Sequence, residues 1–208
     1  MLRSSTRKFI FIHIPKTAGS SVKDSLIPYA DSGLWKYLAT PFRKLCFPIN
    51  LGPEPLEAHA TAQDILELLG NEFYDYYRFA FVRHPYNYIA STYLFIKSFA
   101  RHSRHAFVSN YSSLDEFVDH EILRGYHKPQ SEYIYSHDNK LLVNFVGRFE
   151  TLAVDHQCIC NYLNIPVTLP YLNKSISASS ELPLSTKSKD ILHSYYEVDF
   201  LNFSYQPY

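Results

Sequence analysis

Lys16 lies among Thr17, Ala18, Gly19, Ser20 and Ser21, directly after the apolar run Phe9–Ile14. Those residue types suit an oxyanion of the phosphate class. The apolar run reads as a buried strand, residues 15–21 as a tight turn, and the following residues as a helix. Such a turn brings backbone N–H groups, the positive end of a helix and a lysine to one point. It differs from the common nucleotide loop, where the lysine follows the glycines as Gly-x-x-x-x-Gly-Lys-Ser/Thr. Here Lys16 precedes Gly19. The competing local reading is a solvent-exposed turn lysine with serines that cap the helix.

A second segment repeats the logic. Phe79–Val82 is apolar and ends on Arg83-His84-Pro85, and the helical pattern that follows carries Ser91, eight residues after Arg83. The planar guanidinium fork grips a phosphate well, and a serine adds a hydroxyl donor. The competing readings are a structural ion pair for Arg83 and a polar helix face for Ser91. Two strand-to-helix anion sites suggest a ligand with two separated anionic groups.

Together these motifs resemble the sulfotransferases that use 3′-phosphoadenosine 5′-phosphosulfate (PAPS). Residues 15–21 resemble their 5′-phosphosulfate loop. Val82-Arg83-His84-Pro85 with Ser91 resembles their 3′-phosphate site. The resemblance points to the carbohydrate branch that includes the heparan sulfate 2-O-sulfotransferases. It implies a P-loop-kinase-like sulfotransferase fold, PAPS as donor, PAP as product and no metal. It also implies an acceptor hydroxyl, with a carbohydrate as the leading acceptor and a polysaccharide, glycolipid, small metabolite or protein tyrosine all left open. Lys16 then touches the bridging or 5′-phosphate oxygen, and Thr17, Ala18, Gly19, Ser20 and Ser21 surround it.

The acceptor hydroxyl needs a base. His59 precedes a helix and has a near-neutral intrinsic pKa. It also resembles the catalytic histidine of the 2-O-sulfotransferases in lying between the two motifs. Its competing reading is a surface or helix-capping histidine, and Glu54, Glu57 and His13 are fallback bases. Lys97, Arg101, His102, Arg104 and His105 form a basic cluster that meets an anionic acceptor, chiefly through Arg101 and Arg104, or the nucleotide, or is a solvated helix end. Gln130, after Pro129, resembles an acceptor-pocket element. Asn173-Lys174-Ser175 resembles a loop closing over the nucleotide.

Positioning these groups requires strands that alternate with helices. Strands are expected over residues 8–14, 77–82 and 143–149. Helices are expected over 19–26, 61–69, 85–100, 113–123, 150–163 and 188–199. Thr61 caps the second helix, whose Ile65, Leu66, Leu68 and Leu69 face inward. Residues 30–56 read as an irregular insertion with a short helix near Leu34–Leu38, and 173–188 as a loop or lid. This alternation implies an α/β single domain over 1–208, with a central parallel sheet flanked by helices. Ligands of such sheets bind at the carboxyl ends of the strands.

Composition narrows the class. The 208 residues are 46% hydrophobic with zero formal net charge, which fits a globular core and disfavours a nucleic-acid binder. Cys46, Cys158 and Cys160 form no even disulfide framework and no metal pattern, so reduced thiols are expected. The short polar N-terminus leads straight into the first strand, and no apolar run spans a bilayer. The expected compartment is the cytoplasm for a bacterial-type enzyme, and the Golgi lumen if an anchor has been removed. Two rivals stand beside sulfuryl transfer. One is a Mg-ATP-dependent small-molecule kinase, which needs an acidic metal site that is not evident. The other is a non-catalytic nucleotide- or glycan-binding module.

Overall fold

The computed structural model describes residues 1–31, 59–169 and 182–208. Four strands form one sheet in the order β1-β2-β3-β4: Leu2–Ser4, Phe9–Ile12, Tyr77–Val82 and Phe145–Arg148. The expected α/β architecture, a sheet flanked by helices, is present. β2 and β3 pair in parallel, with Phe9 opposite Tyr77 and Ile12 opposite Ala80. β1 pairs antiparallel with β2 and places Leu2 opposite Phe11. This edge strand was not expected from the polar N-terminus. It forms because the chain reverses through residues 5–8, with Lys8 at φ 52°, and Leu2 then reaches the core.

Among the described residues the α-helices are α1 Gly19–Leu26, α2 Ala62–Leu69, α3 Pro85–Ser98, α4 His105–Val108, α5 Leu114–Phe117, α6 Leu152–Tyr162, α7 Thr186–Tyr195 and α8 Glu197–Asn202. No described helix is long and apolar enough to cross a membrane. Contacts gather the chain into two compact units, one from Met1–Phe81 and Tyr133–Tyr171, the other from Val82–Glu132 and Leu172–Tyr208.

In the first unit the period-2 rule of strands selects the core. Phe9, Phe11, Phe79 and Phe81 alternate along β2 and β3 and pack with Val22 and Leu26 of α1 and Ile159 and Cys160 of α6. The intervening Ile10, Ile12 and Ala80 are also fully buried, so both sheet faces are covered, as a central parallel pair requires. β4 lies close to its neighbour: a Cβ on Gly147 would fall 2.5 Å from Phe81 Cε1. Beneath α1, Ser25 Oγ donates to Val22 O at 2.7 Å, so it accepts from His156 Nε2 at 2.8 Å. Burial pushes the neighbouring Cys160 thiol up to about 11, a poor nucleophile.

In the second unit α3 is the centre. Tyr93 meets Phe117 of α5 at 5.3 Å, and Tyr88 meets Tyr196 edge-on at 6.1 Å. The Tyr196 hydroxyl donates to His127 O at 2.9 Å.

Several boundaries differ from expectation for identifiable reasons. Thr61 and Asp64 form the reciprocal capping box that starts α2, but Leu68 is 45% exposed and does not face inward. Ser113 caps α5 by accepting from Glu116 N, yet α-helix lasts only to Phe117 before a π-helical turn, Val118–Ile122. The last predicted helix is two, α7 and α8, and α7 starts earlier because Ser185 caps it. The helix near Leu34–Leu38, Cys46, Glu54, Glu57 and the Asn173-Lys174-Ser175 loop lie outside the described residues.

Candidate active site

The loop of residues 13–18 joins the end of β2 to α1. Lys16 and Ala18 both take left-handed backbone, φ 61° and 64°, with Thr17 between them. A left-handed residue beside one of negative φ is the backbone pattern by which nests turn N–H groups toward one side. Ala18 is also the N-cap of α1, and it supplies no side-chain cap. The N–H groups of Gly19, Ser20 and Ser21 precede the first α-helical bond, from Val22 N to Ala18 O at 3.2 Å. Ser20 and Ser21 therefore sit inside the first turn, which disposes of their reading as helix caps. Thr17 is fully buried, and its hydroxyl donates to Ile14 O at 2.9 Å. It ties the loop to the strand end instead of offering a donor outward.

His13 shapes the loop from below. A Cβ on Gly19 would fall 1.8 Å from His13 Cδ2, so the first residue of α1 can only be glycine while the imidazole stays there. The His13 ring stacks on Phe11 at 5.9 Å and lies 4.7 Å from the ring of His59. Burial is the main cause that pushes its pKa down to about 3. The charges of His59, the chain's amino terminus, Lys23 and Lys16 add to it. His13 is thus neutral at physiological pH and is an unsuitable proton acceptor.

His59 is differently placed. It is exposed, and its Nδ1 lies 3.0 Å from His13 O. A carbonyl only accepts, so Nδ1 carries the hydrogen and the lone pair of neutral His59 is on Nε2. That is the tautomer a general base needs on its solvent-facing nitrogen.

The second unit holds the other predicted groups. Arg83 is 3% exposed, immediately after β3. Its backbone N–H donates to Gln130 Oε1 at 2.8 Å, and Gln130 Nε2 donates to Arg83 O at 2.8 Å. Gln130 is fully buried, with both ends of its amide on Arg83. His84 caps α3: Nδ1 accepts from Tyr86 N at 3.3 Å, and Nε2 donates to Gln206 O at 3.0 Å. Pro85 follows at the first helical position. Ser91 is buried on α3.

The basic cluster divides. Arg104 forms a two-pronged pair with fully buried Glu121, at 2.6 and 3.0 Å, and lies over the Phe107 and Tyr126 rings. Lys97 donates to Tyr93 Oη and Tyr111 O, both at 2.9 Å. Arg101 is exposed. The structure brings His13, Gly19 and His59 together in the first unit, and Arg83 with Gln130 in the second.

A family model described as the sulfotransferase family matches residues 1–206. The chain belongs to the sulfotransferase family. No curated protein and no solved structure matches it. Membership supports sulfuryl transfer as the reaction class, and the α/β sheet with its flanking helices is consistent with the sulfotransferase fold. Sequence reasoning singled out His13 only as a fallback base, and it missed Asp199 beneath Gln130 in this sulfotransferase. Asp199 had a signal, an acid between Val198 and Phe200 in an apolar stretch of an amphipathic pattern.

Proposed function

We propose that this chain transfers the sulfuryl group of PAPS to a hydroxyl of a carbohydrate acceptor. The observation that carries the reading is the loop after β2. Lys16 and Ala18 in left-handed backbone lead into a helix start without a side-chain cap, at a glycine that His13 demands. In this reading Lys16 and the N–H groups of residues 17–21 stabilise charge on the leaving 5′-phosphate oxygen. Arg83 and Ser91 hold the 3′-phosphate. His59 Nε2 takes the acceptor's hydroxyl proton as the acceptor oxygen bonds to sulfur and the sulfur–phosphate oxygen bond breaks. The carbohydrate acceptor follows from the likeness of the motifs to that branch. The family match over 1–206 supports one sulfotransferase domain over 1–208.

Calorimetric titration with 3′,5′-ADP, against ATP with Mg²⁺, tests the donor. Metal-independent binding of 3′,5′-ADP that Arg83→Ala weakens strongly supports the reading. Binding of ATP with Mg²⁺ alone replaces it with the kinase. Binding of 3′,5′-ADP without turnover in a carbohydrate acceptor screen replaces it with a non-catalytic module.

A further inference from the structure

The strand β3 ends at Val82, so the main chain of Arg83 leaves the hydrogen-bond ladder where a buried peptide still needs a donor and an acceptor. Gln130 supplies both from one side chain and brackets Arg83 as a neighbouring strand would. A side chain long enough to do this is mobile unless its own backbone is fixed. Asp199 fixes it. The Asp199 carboxylate is fully buried and accepts Gln130 N–H at 2.7 Å and Ser131 N–H at 2.8 Å. It thereby caps the 3-10 turn Gln130–Tyr133 from another helix, α8. Its second contact with Gln130, from Nε2 at 3.5 Å, steers the amide into the orientation that bonds Arg83. The flanking peptide is held as well, since His84 O accepts from Tyr88 N at 2.8 Å.

We infer that Gln130 and Asp199 are positioning residues that aim Arg83 at the 3′-phosphate. Fixing the peptide planes on both sides of Arg83 fixes the direction of its Cα–Cβ bond. A guanidinium fork matches a phosphate only within a narrow range of orientations. The inference rests on the proposed PAPS reading and adds to it a mount that determines discrimination for the 3′-phosphate.

The experiment compares affinity for 3′,5′-ADP with that for 5′-AMP, which lacks the 3′-phosphate, in the full chain and in Gln130→Met and Asp199→Asn. Methionine keeps the length of glutamine without its amide. Asparagine keeps the shape of aspartate but meets two N–H donors with one acceptor oxygen. The unsubstituted chain is expected to prefer 3′,5′-ADP by about a hundredfold, the scale of two charge-assisted bonds. Each variant is expected to lose about tenfold or more of that preference while binding 5′-AMP within about twofold of the parent. Full preference retained in a cooperatively melting variant overturns the inference. So does an equal loss for both nucleotides in both variants, because that marks a purely structural role. If the unsubstituted chain shows no preference, the PAPS reading itself fails, an outcome distinct from either.

Discussion

The imidazole of His13 occupies the space that a β-carbon on Gly19 would need, 1.8 Å from Cδ2. One contact thus links the residue after β2 to the first residue of α1, the helix that follows the loop. Gly19→Ala is expected to destabilise the chain by about 2 kcal/mol, within the range for overpacking a filled site. Adding His13→Ala should recover about 1 kcal/mol or more, a coupling that residues in direct contact show. Thermal melts of both singles and the double measure it. Additive losses would refute the contact.

His59→Ala should lower turnover by about 10²–10⁴-fold, the usual contribution of a positioned base. It should leave 3′,5′-ADP affinity unchanged, since the hydrogen bond from Nδ1 goes to His13 O. Turnover like the parent's would remove His59 from the chemistry.

Arg104 holds the buried carboxylate of Glu121 with both arms of its fork. Removing it strands that carboxylate, so Arg104→Ala should cost about 3 kcal/mol. Arg104→Lys should recover little, because a point charge cannot make both bonds or lie flat over Phe107 and Tyr126. Urea unfolding curves give both values. A small loss for Arg104→Ala would instead favour its reading as an acceptor-binding cation.

Burial lowers two histidines from 6.5, His13 to about 3 and His127 to about 4. Between those values and 6.5 the unfolded chain binds more protons than the folded one. Stability therefore rises with pH across that window and falls as the solution is acidified below 6.5. Each group contributes a slope of at most about 1.4 kcal/mol per pH unit. Melting temperatures from pH 7.5 down to 4.5 should fall most steeply below pH 6.5, and His127→Phe should flatten the decline. A flat profile would show that these groups titrate normally in the folded chain.

Local chemistry made much of this legible in the sequence. The Thr61–Asp64 box, Ser113 as a cap and Pro85 at a helix start depend on neighbours within a few residues, and all three appear where the spacing places them. The run Phe9–Ile12 needed only its hydrophobicity to be read as a buried strand, though the strand stops two residues short of the expected Ile14. Boundaries failed where a distant partner took over. β1 exists because Leu2 finds the sheet's core, and α5 gives way to a π-helical turn where Glu121 meets Arg104.

By itself the sequence determined the α/β class, the order of the two motifs and the residue types within them, because each of these is set by composition and short-range spacing. Only the tertiary structure decided what each polar side chain touches. His13 is 46 residues from His59, and Gln130 is 47 from Arg83 and 69 from Asp199. No local pattern encodes contacts across such separations. They arise when a buried carbonyl, N–H or carboxylate must find a partner after the chain has folded, and that requirement gives His59 its tautomer and Arg83 its mount.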